Sequence, residues 1–294
     1  MKKEIAILIP CYNEELTIKS VIEGFKRSVP EAKIYVYDNN SKDNSAILAK
    51  QAGAIVRHCS LQGKGNVVRQ MFREIDADAY IMVDGDDTYP APEAKKMAEL
   101  VLNEGVDMVI GDRLSTTYYS ENKKLFNGIG NRLVHFLINE LFNANISDIM
   151  TGYRAFSKRF VKSIPVISNG FEIETEMTIY ALRNHMIVYS IPIQYKDRPA
   201  GSNSKLNTVV DGVKVLWTIF VNAIAIKPLQ TLGVIGLVFV LYGMLLNVYI
   251  YFAGLAILST MIVLMAINYH EQRTQTLLTN VMGELNEKGT KKSK

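Results

Sequence analysis

The sequence predicts an α/β fold, a mostly parallel sheet wrapped by helices, followed by a two-helix transmembrane hairpin. Three observations carry this expectation. Short β-branched runs alternate with helical patterns in the N-terminal part, polar clusters fall just after those runs, and a long stretch near the C-terminal end is free of charge.

The strand candidates are Ile5 to Ile9, Lys33 to Asp38, Ala54 to Arg57, Ala79 to Val83 and Asp107 to Ile110. Helical patterns lie between them at Leu16 to Arg27, Asp43 to Ala52, Lys64 to Ile75 and Pro92 to Asn103. Strict alternation argues for parallel strands joined by crossover helices, and in such sheets ligands sit outside the carboxyl ends of the strands. The polar clusters fall there. Asn13 and Glu14 follow the first strand, Asp38 and Asn39 end the second, Asp84, Asp86 and Asp87 follow the fourth, and Asp112 and Arg113 the fifth. Ile5 to Ile9 is too short for a secretory h-region and is followed by polar Asn13, Glu14 and Glu15, so it reads as a strand.

From Pro228 to His270 there is no Asp, Glu, Lys or Arg. One membrane crossing takes about 20 apolar residues, so the run predicts two, Leu229 to Tyr251 and Gly254 to Tyr269, with a turn near Phe252 to Gly254. A soluble helical hairpin is the alternative, and it would need a polar face. The turn holds no Lys or Arg whereas Lys288, Lys291, Lys292 and Lys294 follow the second crossing, which predicts both ends and the large N-terminal part in the cytoplasm. Before the membrane, Val210, Val213, Trp217, Phe220, Val221 and Ile224 recur at helical spacing opposite Asp211, Lys214, Thr218 and Asn222. That stripe suits a helix lying along the headgroups or one packed on the soluble domain, and Trp217 favours the headgroups. The expected organisation is a cytosolic domain at 1–206, an amphipathic helix at 207–227, two crossings at 228–270 and a basic tail at 271–294.

Composition narrows the function. With 33 Lys+Arg against 29 Asp+Glu the formal charge is only +4, so nucleic acid is not an expected partner. Cys11 and Cys59 have neither the number nor the spacing of a disulfide framework or zinc site. Gly63-Lys64-Gly65 is not a Walker loop, because glycine follows the lysine, and no Gly-x-Gly-x-x-Gly follows the first strand. His58, His135, His185 and His270 lack metal-ligand spacing and read as structural or surface residues. Asp84-Gly85-Asp86-Asp87, by contrast, crowds three carboxylates after the apolar Tyr80 to Val83. Mg²⁺ or Mn²⁺ held with a substrate diphosphate would offset their repulsion; an acidic turn capping the helix at Pro92 is the alternative.

Seven segments in order carry a family resemblance: Ile9-Pro10-Cys11-Tyr12-Asn13-Glu14-Glu15, Asp38-Asn39-Asn40-Ser41-Lys42-Asp43, Gly63-Lys64-Gly65, Asp84-Gly85-Asp86, Thr151-Gly152-Tyr153-Arg154, Gly170 to Glu176 and Arg198 to Leu206. Together they resemble the motifs of family 2 glycosyltransferases, nearest the dolichyl-phosphate mannose synthases and bacterial polyprenyl-phosphate glycosyltransferases. The resemblance implies a GT-A fold, a UDP- or GDP-hexose donor and inversion at the anomeric carbon. It assigns Pro10, Tyr12, Glu14 and Asp38 to the base and ribose with Lys64 nearby, and Asp84 and Asp86 to the metal, Asp86 more directly. Asn40 stands where the family often has glycine, and Thr88 where mannose synthases usually carry glutamine.

A membrane anchor beside a sugar-transfer site suggests a lipid phosphate acceptor, held by cations. Arg113, Arg132, Arg154, Arg198 and Lys205 all follow the acidic motif, and guanidinium forks suit phosphate oxygens. The resemblance places Arg113, Arg132 and Arg198 at the acceptor phosphate, and Ser204 and Lys205 in a loop closing over the donor. A phosphate monoester, with its second pKa of about 6, is already anionic and needs no base. A hydroxyl acceptor on a polysaccharide or glycolipid would need one, and Glu172, Glu174, Glu176 or Asp148 could supply it. Glu174 is otherwise expected to organise the loop or the donor sugar. A nucleotidyltransferase would share the sheet and acids but needs a phosphate-cradling loop where this chain has Pro10 to Glu15. A membrane scaffold that kept the fold would not need both the metal and cation sets. The sequence leaves the base, the sugar and the oligomeric state open, a homo-oligomer included.

Overall fold

In a computed structural model describing residues 3–115, 125–202, 205, 207–227, 231, 233 and 251–292, the chain opens with β1 (Ile5–Cys11), α1 (Ile18–Ser28), β2 (Lys33–Asp38), α2 (Ser45–Gln51), β3 (Ile55–His58), α3 (Lys64–Glu74), β4 (Ala79–Met82), α4 (Glu93–Asn103) and β5 (Met108–Asp112). This is the predicted alternation, with ends displaced by no more than two residues. There follow α5 (Leu125–Phe142), β6 (Arg154–Ser157), α6 (Lys158–Ser163), α7 (Ile173–Arg183), β7 (Val188–Pro192), α8 (Thr208–Ile226) and α9 (Tyr251–Lys292).

The strands form one seven-stranded sheet in the order β3-β2-β1-β4-β6-β5-β7. All neighbours are parallel except β6, which runs antiparallel to both β4 and β5. β1 lies between β2 and β4, so the crossovers change direction there and their loops part at its carboxyl end. Such a switch point opens a crevice for ligands. Ile5, Ala6, Ile7, Leu8 and Ile9 are all buried, as a strand covered on both faces requires. α1 covers the sheet with Ile18, Val21, Ile22 and Phe25, and α4 with Ala94, Met97, Ala98 and Val101, each at helical spacing.

Sequence periodicity does not signal β6 or β7. β6 has four residues beginning with a buried arginine, and in β7 only Ile191 is buried. Neither offers the apolar run of an interior strand or the alternation of a half-buried one.

The chain divides into two compact units, Met1–Val215 and Leu216–Lys294, with the boundary inside α8. Among the described residues, Val209–Ile226 is the helical stretch long and apolar enough to cross a bilayer. Several of its outward residues are apolar: Val209 is 75% exposed and Trp217 55%, with Val210 and Val213 also exposed beside Lys214, while Asp211 and Asn222 are buried together with Val215, Ile219 and Ile224. Most of the first predicted crossing lies outside the described residues. The turn predicted near Phe252 to Gly254 is instead helical, because α9 already runs from Tyr251. A lone glycine costs a helix only about 1 kcal/mol, and Leu255, Ala256, Ile257 and Leu258 propagate it.

Candidate active site

Four strand ends supply the acids. The loop after β1 carries Glu14, whose backbone N–H donates to Ser45 Oγ at 2.7 Å, so the start of α2 positions it. β2 ends on Asp38, level with Cys11 of β1. β4 leads to Asp84 and Asp86, and β5 leads to Asp112 and Arg113.

Three ion-paired groups fill the centre. Lys64, the first residue of α3, reaches Asp84 Oδ1 at 2.5 Å and Glu174 Oε1 at 2.6 Å. Arg198 Nη2 lies 2.6 Å from Asp86 Oδ2, whose other oxygen accepts from Thr88 Oγ1 at 2.6 Å. Lys205 Nζ lies 2.6 Å from Glu14 Oε1 and donates to the Asn13 carbonyl at 2.8 Å. Glu14, Asp84, Asp86 and Glu174 thus face three cations, which leaves one formal negative charge over.

Burial and that surplus explain the titration of the site. Burial is the largest influence on Lys64 and opposes its charge, but Asp84 and Glu174 outweigh it and hold the ammonium above its ordinary value. Glu174 is raised by burial, which Lys64 restrains and Asp84 reinforces. Asp86 is raised by burial and then by Asp84, against the pull of Arg198. Glu14 is likewise raised by burial despite Lys205.

The Gly-Lys-Gly motif is a packing device. The Gly65 N–H donates to the Asn169 carbonyl at 3.0 Å, and a Cβ on Gly65 would stand 2.1 Å from the Ser168 carbonyl oxygen. Only glycine lets the 168–169 backbone meet the start of α3, which brings Lys64 to Glu174. Glu176 clamps the same loop by accepting from the Ile167 and Ser168 N–H groups, and Glu172 accepts from those of Asn169 and Gly170. Arg69 holds its other side through the Val166, Ile167 and Ser168 carbonyls. Of the three predicted glutamates, Glu174 is the one paired with Lys64.

Asp84 and Asp86 suit a hard divalent cation. Both offer oxygen, Asp84 shares the single Lys64 ammonium with Glu174, and a Cβ on Gly152 would fall 2.4 Å from Asp84 Oδ2, so only glycine fits against that flank. Among the described residues no group of three His, Cys, Asp or Glu could hold a metal. The remaining ligands would come from a substrate diphosphate, the usual arrangement for Mg²⁺.

The arginines divide by role. Arg113 is buried and bidentate on Asp148, with Nε 2.7 Å from Oδ2 and Nη2 3.0 Å from Oδ1, and its guanidinium lies 5.4 Å from the Tyr195 ring centroid. Arg154 is fully buried on the Thr151 and Ile149 carbonyls and Thr178 Oγ1, and burial lowers its pKa to about 10. It fixes the 149–151 turn and does not reach a surface where an acceptor could bind. Arg132 is exposed on α5, and Ser204 lies outside the described residues.

On the β1–β2 side, Pro10 and Tyr12 are half-buried. Asp38 Oδ1 is buried without a hydrogen-bond partner among the described residues, and His58 Nδ1 stands 3.7 Å from Oδ2. His58, which reads in the sequence as a structural or surface residue, is exposed, and its position at the end of β3 sets it level with Asp38. Asn40 has φ 66°. Asparagine tolerates this left-handed conformation better than most residues, so it can stand in for the family's glycine. Nothing in the spacing of Arg113 and Asp148 signals their pairing, and Thr88 stands out in the sequence only as a departure from a motif.

Residues 6–164 match the family described as Glycosyl transferase family 2. The chain is 35% identical over 247 residues to Glycosyltransferase AglJ of Haloferax volcanii, covering 84% of this chain and 80% of that one. It is 28% identical over 212 residues to Dolichyl-phosphate hexose transferase of the same organism, covering 72% and 90%. The crystal structure of glucosyl-3-phosphoglycerate synthase from Mycobacterium tuberculosis, in complex with Mn²⁺, UDP and glucosyl-3-phosphoglycerate, superposes with a TM-score of 0.63 at 20% identity, over 76% of this chain and 81% of that one. At that identity the likeness speaks for the GT-A fold alone.

Proposed function

We propose, from the premise that this chain belongs to glycosyl transferase family 2, that it moves a hexose from a UDP- or GDP-linked donor to a polyprenyl phosphate, undecaprenyl or dolichyl in kind, at the cytosolic face of a membrane. The observation that carries the acceptor class is that each candidate base is already engaged through at least one oxygen, Glu172 alone keeping a buried Oε2 without a hydrogen-bond partner among the described residues. Glu174 is paired with Lys64 and Asp148 with Arg113, while Glu172 and Glu176 accept from backbone N–H groups. A hydroxyl acceptor would need a base. A phosphate with its second pKa of about 6 does not.

In the proposed step, a phosphate oxygen forms its bond to the sugar C1 while the bond from C1 to the diphosphate oxygen breaks, and the electron pair leaves with the nucleoside diphosphate. The chain's contribution is to align two anions and offset their repulsion. Pro10, Tyr12 and Asp38 line the side proposed for base and ribose, with Glu14 and Lys205 beside it. Lys64 fixes Asp84 and Glu174, and Arg198 and Arg132 are proposed for the acceptor phosphate. Arg113, locked on Asp148, supports the floor through Tyr195. Asp84 and Asp86 would hold Mg²⁺ or Mn²⁺, which when bound supplies positive charge against the departing diphosphate.

The outward apolar face of α8, with Trp217 on it, supports membrane attachment. The relative named for dolichyl-phosphate hexose transfer supports the acceptor. The test is to incubate the purified chain with a polyprenyl phosphate and radiolabelled UDP- and GDP-hexoses. The expected product extracts into organic solvent and releases its label in mild acid; label that survives mild acid, or enters a polysaccharide, would overturn the acceptor class.

A further inference from the structure

We propose that Arg198 is an internal competitor of the metal cation: its guanidinium occupies Asp86, and a divalent cation must displace it, freeing it for the substrate phosphates. The proposal rests on the reading of Asp84 and Asp86 as cation ligands.

The geometry distinguishes this ion pair from the other two. The Asp86 side chain is 3% exposed and Thr88 holds its Oδ1, so Oδ2 is the oxygen left for a cation, and Arg198 has it. Arg198 itself is 28% exposed. It leaves the sheet on a segment tied down at the Lys196 N–H, which donates to the carbonyl of Thr88 at 3.0 Å, two residues after Asp86. Beyond Arg198 the chain turns, with the Ser202 N–H on the Pro199 carbonyl and Gly201 at φ 89°. The acid is therefore fixed and its partner can swing. Lys64 is the opposite case, a buried ammonium at a helix start shared by two carboxylates. Lys205 pairs with Glu14 and does not touch Asp86.

The consequence runs against intuition: deleting this cation should strengthen metal binding while turnover falls. An internal pair closed in about nine molecules of ten weakens apparent affinity for the competing ion about tenfold. The experiment is a Mn²⁺ titration followed by electron paramagnetic resonance, with and without UDP, on the full-length chain in detergent. The samples are the wild type, Arg198→Ala, Arg198→Lys, Lys205→Ala and Asp86→Asn. Arg198→Ala is expected to bind Mn²⁺ about tenfold more tightly than the wild type, Arg198→Lys between the two, Lys205→Ala within about twofold of the wild type, and Asp86→Asn weakly. Unchanged or weaker binding by Arg198→Ala overturns the exchange, as does an equal gain in Lys205→Ala, which would mark a general charge effect. In both of those cases the wild type still binds, and the metal assignment survives. If Mn²⁺ binds neither the wild type nor Arg198→Ala, the assignment of Asp84 and Asp86 falls with the proposal.

Discussion

Replacing Lys64 with methionine keeps a straight apolar side chain but removes the ammonium shared by Asp84 at 2.5 Å and Glu174 at 2.6 Å. The Lys64 side chain is 9% exposed and that of Glu174 5%, so water cannot take its place. Removing one partner of a buried pair costs about 3–5 kcal/mol. In a domain of this size each kcal/mol moves Tm by about 2–4 °C, so the drop should be about 6–20 °C. The loss should depend on pH in a set direction. Burial already raises Glu174 above its ordinary 4.5, Asp84 adds to this and Lys64 restrains it, so without Lys64 it rises further. A carboxyl with a higher pKa folded than unfolded binds more protons in the folded state, and its stabilising contribution is lost as pH rises from the unfolded value through the folded one. The variant should therefore melt closer to the wild type at pH 5 than at pH 8. Near-ultraviolet circular dichroism of the solubilised chain measures this, and adding Glu174→Gln should recover part of the loss at pH 8. An unchanged Tm, or equal deficits at both pH values, would show that the trio is not charged as argued.

Three further outcomes follow from contacts already described. Gly65→Ala should lose at least about 1–3 kcal/mol by overpacking, because its Cβ meets the Ser168 carbonyl oxygen at 2.1 Å; thermal melting and turnover should both fall, since Lys64 moves with the helix start. Asp86→Asn should lower turnover at least about 10²-fold, in keeping with a metal contribution of several kcal/mol, and excess chelator should depress the wild type in the same radiolabel assay. Asp148→Asn should destabilise the fold by about 3–5 kcal/mol, because it leaves the buried Arg113 guanidinium without its carboxylate; denaturant unfolding gives the value.

Much of the framework is legible in the chain because it depends on local chemistry. β1 to β5 and their helices announce themselves through apolar periodicity, and the acids at their ends follow from direct adjacency. β6 and β7 do not, since one is four residues long beginning on Arg154 and the other has a single buried position. The turn expected at Phe252 to Gly254 shows the complementary error: it follows from dividing the charge-free run into two crossings by length, and α9 runs through it. The resemblance pointed to cations but could not say which acid each would meet. Arg113 gives its fork to Asp148 and Arg154 goes entirely to internal carbonyls and a threonine.

What the sequence determined alone is the α/β alternation, the charge-free run and the oxygen-rich ends of the strands, because each depends on residues close together along the chain. Only the tertiary structure decided that Lys64 belongs to Asp84 and Glu174, Arg198 to Asp86, and Lys205 to Glu14. Ion pairing is set by distance and burial in space. Here the sheet order and the close approach allowed by Gly65 bring together charges that the sequence keeps far apart.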